Sequence, residues 1–321
     1  MKRAAWDNFS EFVANRNAVK KEFKTASAYM QCLCALLLTL QRSKVDSETI
    51  AEIRHSLKKE FKIFSPLRGI AMPALITQLC VAKDDREMTG KVKEAYRLLR
   101  EEGFLGTDFL PLPAYILARN NVDAVLSRKM RDIYLMMRSK HKAITGGDDT
   151  GFAALMAVYI DTVQTAEQLC EQAFSILSKR FGSKNETWLM SHILAFDGEN
   201  IEKNAERTIE LYERLKADKR MFKGTESPIL ALLGVLGCDA EKTALDIGEL
   251  SDALKVSHGF SPWQIPKGQR QLYSAALIAM TEISEKENSR ETRMLMYLLI
   301  TAILVSVTMA TIMAASSAAT M

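Results

Sequence analysis

Apolar residues recur along this chain at intervals of three and four, the spacing of one helix face, and strand-like alternation is nearly absent. In "KVKEAYRLL" the positions Val92, Ala95, Tyr96 and Leu99 share a face, with Lys93, Glu94 and Arg97 turned outward. "AERTIELYERL" repeats the arrangement through Ala205, Ile209, Tyr212 and Leu215. Between such amphipathic segments lie shorter, wholly apolar ones: "LPAYILA", "FAALMAVYI", "WLMSHILAF" and "SPILALLGVL". The pattern predicts a unit of two helices, an apolar first helix inside and a charged second helix outside.

The unit repeats. Tyr96, Tyr134, Phe174 and Tyr212 each open an aromatic-x-x-apolar step, and Leu250 continues the series, at a period of about 38 to 40 residues. A small residue closes each preceding apolar helix at the same period: Ala82, Ala118, Ala157, Ala195 and Gly234. A third marker follows each outer helix: Phe104, Ile144, Phe181, Phe222 and Phe260 are expected to pack back on the helix they follow. Gly103 and Gly259 precede two of these, where a left-handed residue ends a helix. Ala26 to Glu60 reads as an earlier, degenerate unit, and a helix over Trp6 to Lys20 caps the front. "QRQLYSAALIAM" supplies the last inner helix, with an outer partner starting near Asn288.

The expected fold is therefore all-α, a right-handed α-solenoid or curved array of about seven helix pairs. A pair cannot bury its apolar face alone, so neighbours must cover it. Residues 1–288 form the repeat body and residues 289–321 an apolar C-terminal helix.

Composition alters this picture little. The 321 residues are 48% hydrophobic, enough for a large core, with 15 glycines and 7 prolines. The formal net charge of +4 comes from 43 basic and 39 acidic side chains dispersed along the chain, with no basic stripe, so no nucleic-acid partner is expected. Cys32, Cys34, Cys80, Cys170 and Cys238 are odd in number and form no C-x-x-C pair; they read as free thiols of a reducing, cytoplasmic compartment. "MKRAAWDNFSEFVANR" meets Asp7 and Glu11 before any apolar stretch, so no secretory signal is expected.

Candidate chemistry is sparse, and no catalytic residue, cofactor or metal site is expected. Asp84, Asp85, Asp123, Asp161, Asp197 and Asp239 recur between paired helices and read as helix caps. A rival reading makes Asp84, Asp161 and Asp197 rim carboxylates of an enzyme built on an α/α toroid. "TGGDDTGFAAL" shares only its glycines with a phosphate loop and reads as a turn feeding a helix capped by Asp148 or Asp149. His55, His141 and His258 lie near helix ends without ligand spacing. "FSPLRGIAMP" from Phe64 and "FSPWQIP" from Phe260 both enter inner helices, and their Arg68 and Trp263 are candidates for a ligand face. His192, on an apolar helix, reads first as a packed histidine and is a third candidate.

In their order, "VKKEFKTASAYMQCLCALL", "FKIFSPLRGIAM", "EEGFLGTDFLPLPAYILA", "MSHILAF", "IELYERLKA" and "GFSPWQIPKGQRQLYSAAL" resemble a bacterial family known as domain of unknown function 4003, through about Met280. The resemblance implies an all-helical fold and brings no catalytic residues with it.

Met294 to Met321 carries no charged side chain. Leu295 to Ala315 would span about 30 Å as a helix, the thickness of a bilayer core. Lys286, Arg290 and Arg293 precede it and nothing basic follows, the polarity of a tail anchored from the cytoplasmic side. Ala302, Ser306, Ala310, Ala314 and Ala318 form a line of small residues suited to close helix contact. Two expectations stand for this segment: a membrane tether and a buried helix for homo-oligomerisation. For the whole chain the expected function is a scaffold binding a protein or peptide on its inner-helix surface.

Overall fold

The computed structural model describes residues 3–61, 65–82, 85–286 and 290–319. Among these the chain is all-α, with no strand. In order the helices are α1 (Arg3–Glu22), α2 (Ala28–Leu40), α3 (Ser47–Glu60), α4 (Met72–Val81), α5 (Asp85–Glu101), α6 (Pro111–Ala118), α7 (Ala124–Lys140), α8 (Thr150–Tyr159), α9 (Val163–Phe181), α10 (Asn185–Leu194), α11 (Ile201–Ala217), α12 (Pro228–Val235), α13 (Ala240–Val256), α14 (Lys267–Ser284) and α15 (Arg290–Ala319). After α1 they follow as seven inner–outer pairs. The cap expected at Asp84, Phe64 at the head of "FSPLRGIAMP" and the boundary at 288/289 lie outside the described residues, as does the side chain of Asp85.

The chain divides into two compact units. The earlier comprises Glu11–Leu135, Gly146–Val158 and Leu304–Met321; the later comprises Met1–Ser10, Met136–Thr145 and Tyr159–Ile303. In the earlier unit the inner helix α4 packs on α2 and α6, and the outer helices α3 and α5 pack on each other. In the later unit α10, α12 and α14 form the inner row and α9, α11 and α13 the outer row. In the earlier unit α3 also rests on α4 and α5 on α6, and in the later unit α9 rests on α10, α11 on α12 and α13 on α14. This is the mutual covering that the apolar pattern demands: every residue of α6 is buried, and so is Pro228 through Gly234 of α12.

The aromatic markers meet partners at every period, although in another direction from that expected. Phe61 lies against Tyr96 (ring centroids 6.2 Å apart), Phe104 against Tyr134 (5.4 Å) and Phe181 against Tyr212 (4.9 Å). Each of these three rings thus reaches forward to the aromatic of the next outer helix. In the third unit the partner of Phe174 is His141, at 4.5 Å, which takes the place expected of Ile144. Edge-to-face and tilted pairs of this kind add about 0.5–1.5 kcal/mol each beyond area burial.

Helix ends follow local rules. Gly103 and Gly259 take φ of 90° and 89°, as expected. After α5 the Phe104 N–H closes on the Leu99 carbonyl at 3.1 Å, and Arg42, Asn121 and Lys219, with positive φ, close α2, α6 and α11 in the same way. Asp123 accepts the Leu126 N–H at 2.7 Å and Asp239 the Lys242 N–H at 2.8 Å, so both cap as expected. The other expected caps differ. Thr162, not Asp161, caps α9 through Thr165 N–H. Asp197 has a non-helical backbone and accepts from the side chains of Asn200 and Asn204. Asp149 reaches back to the Gly146 N–H at 2.7 Å, tightening the turn before α8.

At the start of α14 the Glu226 carboxylate fills the space over Gly268 and accepts from Gln269 Nε2 at 3.3 Å. Burial pushes the Glu226 carboxyl above its ordinary value, and the hydrogen bonds only partly oppose this. A raised carboxyl favours the fold below the unfolded value of 4.5, and that contribution is lost as pH rises through the folded value. Glu226→Gln, which removes the charge and keeps the shape, is therefore expected to raise the melting temperature at pH 7. The gap from the native protein should close by pH 4 in a pH series of thermal melts.

No disulfide joins the five cysteines, as expected: Cys32, Cys34 and Cys170 are buried, Cys80 and Cys238 partly exposed. Desolvation pushes the Cys34 thiol up to about 12 despite a hydrogen bond with Thr77. A thiol so protonated and enclosed is not a nucleophile at neutral pH. Iodoacetamide is expected to modify Cys80 and Cys238 in the native protein and to reach Cys34 only on unfolding, as read by peptide mass mapping.

The apolar C-terminal segment is one 30-residue helix, α15. Its stretch Arg290–Ser316 has a mean hydropathy of 2.3 and is long and apolar enough to cross a membrane, yet 61% of its most apolar window is buried inside the protein. Burial is continuous from Leu298 to Thr308. Ala302 and Ser306 of the small-residue line are buried, Ala310 is half-buried and Ala314 exposed; the Ala318 side chain lies outside the described residues. The Thr301 hydroxyl bonds the Tyr297 carbonyl at 2.7 Å, the local satisfaction that lets a polar residue sit in an apolar helix. Thr311 meets Ser27 at 2.9 Å in the earlier unit, and Arg290 lies over the Tyr159 ring in the later one.

Candidate functional site

The three residues singled out in the sequence have different surroundings. His192 is fully buried in the later unit, its ring 4.5 Å from that of Trp188 and its Nδ1 3.7 Å from Cys170 Sγ. It presents no surface to a ligand and is a packed histidine. Trp263, in the same unit, is 98% exposed. It stands at the tip of a turn closed by Gln264 N–H and Ile265 N–H on the Ser261 carbonyl, both at 2.9 Å. Arg68, in the earlier unit, is half-buried and lines an open groove of about 620 Å³.

That groove is built by local chemistry. The Ser27 hydroxyl accepts the Met30 N–H at 3.1 Å and starts α2. Gln31 Nε2 donates to the Phe23 and Ala26 carbonyls, each at 3.1 Å, folding the α1–α2 connection over that start. From α3, Arg54 donates to the Glu22 carbonyl at 3.0 Å and covers the Phe23 ring at 5.2 Å. Arg68 donates to the Phe61 carbonyl at 3.0 Å. Asp108 holds the Ile70 N–H at 3.0 Å, and its carboxylate fills the place where any Cβ on Gly69 would stand. That explains the glycine in "PLRG".

The lining carries Lys21, Lys24, Arg54, Lys58 and Arg68 against one carboxylate, Glu22. The Glu22 carboxylate accepts from the Ser47 hydroxyl at 2.7 Å. Four net charges here equal the formal +4 of the whole chain, so the remaining basic and acidic side chains balance. The sequence shows no basic stripe because these cations come from α1, the α1–α2 connection, α3 and the turn before α4; only packing gathers them. Ile70 and Met72 add half-buried apolar surface, and Thr311 of α15 completes the lining.

A second concavity, about 190 Å³, lies in the later unit beside Cys238, Asp239, Lys242, Asp246 and Glu282. Asp239 is engaged as a cap, and Lys242 pairs with Asp246 at 3.6 Å. Among the described residues no three His, Cys, Asp or Glu side chains gather as a metal site would require. Of the rim carboxylates of the toroid reading, Asp161 stands beside the Thr162 cap, Asp197 is held by two asparagines, and Asp84 lies outside the described residues.

No curated protein matches the chain, and no solved structure does. A family profile described as "Protein of unknown function (DUF4003)" matches residues 15–310. The match takes in every groove element from α1 onward and continues through the buried part of α15. By that extent of agreement the chain belongs to the DUF4003 family of proteins of unknown function.

Proposed function

We propose that this protein is a non-catalytic helical-repeat scaffold that binds a protein or peptide, with the groove around Arg68 as its principal contact and Trp263 as a second anchor. The observation that carries this reading is the groove itself: concave, open and held in shape by backbone-directed hydrogen bonds, with polar groups around apolar surface. Exposed Trp and partly buried Arg are the residue types that dominate binding energy at interfaces. Five cysteines with no disulfide among them favour a cytoplasmic setting.

The same reading makes α15 part of the body instead of a membrane tether or an oligomerisation helix. Its burial from Leu298 to Thr308 and the family match through residue 310 support this. Alkaline carbonate should then release full-length protein from host membranes; retention in the pellet would restore the tether.

Capture from native-host extract on full-length bait tests the binding role. A specific partner is expected on the native chain and reduced at least severalfold on Trp263→Ala, whose exposed side chain the fold does not need. A partner retained in full by both Trp263→Ala and Arg68→Ala, with circular dichroism unchanged, removes both proposed contacts.

A further inference from the structure

We propose that the groove receives an acidic, amphipathic stretch of a partner polypeptide, its carboxylates on the basic rim and its apolar side chains against Ile70 and Met72. This rests on the scaffold reading above and adds the chemistry of the ligand.

Five cations face one carboxylate in a chain whose other charges cancel, and a concave wall of low dielectric focuses that field on whatever enters. The starts of α2 and α4 both line the groove, and the positive ends of their dipoles act in the same sense. Arg54 and Arg68 are fixed by the Glu22 and Phe61 carbonyls, so their side-chain entropy is already lost before binding. Lys21, Lys24 and Lys58 stand exposed around them, free to follow a flexible ligand. Rigid arginines within a lysine rim suit a carboxylate-bearing segment, as in the recognition of acidic motifs by basic clusters.

The groove fits other anionic ligands less well. Phe23, the one aromatic among the described lining residues, is 5% exposed beneath Arg54 and offers no open ring for base stacking. A flat lipid surface meets the exposed rim lysines more readily than the half-buried Ile70 and Met72.

The test uses full-length protein and three fluorescein-labelled peptides of equal length, alternating Leu with Glu, with Gln or with Lys, read by fluorescence anisotropy. The Glu–Leu peptide is expected to bind at least tenfold more tightly than the other two, and to weaken as salt rises. Lys24→Glu combined with Lys58→Glu should weaken it at least tenfold with the thermal melt unchanged, because both side chains are exposed. Equal binding of the Gln–Leu peptide, or full retention by the double variant, overturns the proposal. So does co-sedimentation with phosphatidylserine vesicles that the double variant abolishes while no peptide binds. Peptide failure alongside a host partner still lost on Trp263→Ala removes this inference and leaves the scaffold reading; absence of any specific partner removes the scaffold reading itself.

Discussion

Trp188→Ala is expected to lower the stability of the protein by about 3–5 kcal/mol, the range for truncating a fully buried aromatic residue. Trp188 heads the fully buried side chains by volume and joins three elements of the later unit. Its ring lies 4.3 Å from His141 after α7, 5.3 Å from Phe174 on α9 and 4.5 Å from His192 on its own helix. Its Nε1–H donates to Thr145 Oγ1 at 3.1 Å, so removal also leaves a buried hydroxyl without that donor. Trp188→Phe keeps most of the apolar volume and should lose less. Urea titration followed by circular dichroism reads both changes. A loss below about 1 kcal/mol for the alanine variant would mean that the site collapses around the gap and that the aromatic cluster is not a stabilising centre.

The second large effect is expected at Gly234, the last of the small residues that close the inner helices. A Cβ there would stand 2.7 Å from the Asn204 carbonyl oxygen and 2.5 Å from Thr208 Oγ1, both on α11. Backbone cannot step aside as a side-chain tip can, so α12 and α11 would have to separate. Alanine improves helix propensity by roughly 1 kcal/mol over glycine, yet overpacking of this kind costs about 1–3 kcal/mol, so Gly234→Ala should destabilise. Gly234→Val, which enlarges the same clash, should destabilise more. Gly90 in α5 provides the opposite sign: nothing lies within 4 Å of its would-be Cβ, so Gly90→Ala should stabilise. Parallel melts of the three variants check the set, and a neutral Gly234→Ala would show that the helix contact is looser than its geometry.

The sequence carried the inner and outer helices because each has its own signature. An inner helix is apolar around its whole circumference and an outer one on a single stripe, and the structure buries them accordingly. The small-residue marker was legible as a period; its reason, the α11–α12 approach at Gly234, is a distance between helices and has no local trace. His141 shows the limit from the other side. Its sequence neighbours suggest a helix end, and only the fold puts it between Phe174 and Trp188 with Glu171 at 2.8 Å. The aspartates recurred as caps would, but Thr162 performs the task beside Asp161, because a hydroxyl one position later fits the same amide.

By itself, then, the order of residues determined the all-α class, the period of the paired helices, the closures at Gly103 and Gly259 and the family. All of these depend on interactions within a few turns, or on a pattern repeated often enough to show through local variation. The tertiary structure alone decided that an apolar tail long enough for a bilayer is mostly buried in the protein, and that lysines and arginines scattered between residues 21 and 68 meet around one groove. Burial and net charge at a site are sums over parts of the chain brought together by packing, so they have no value until the helices have stacked.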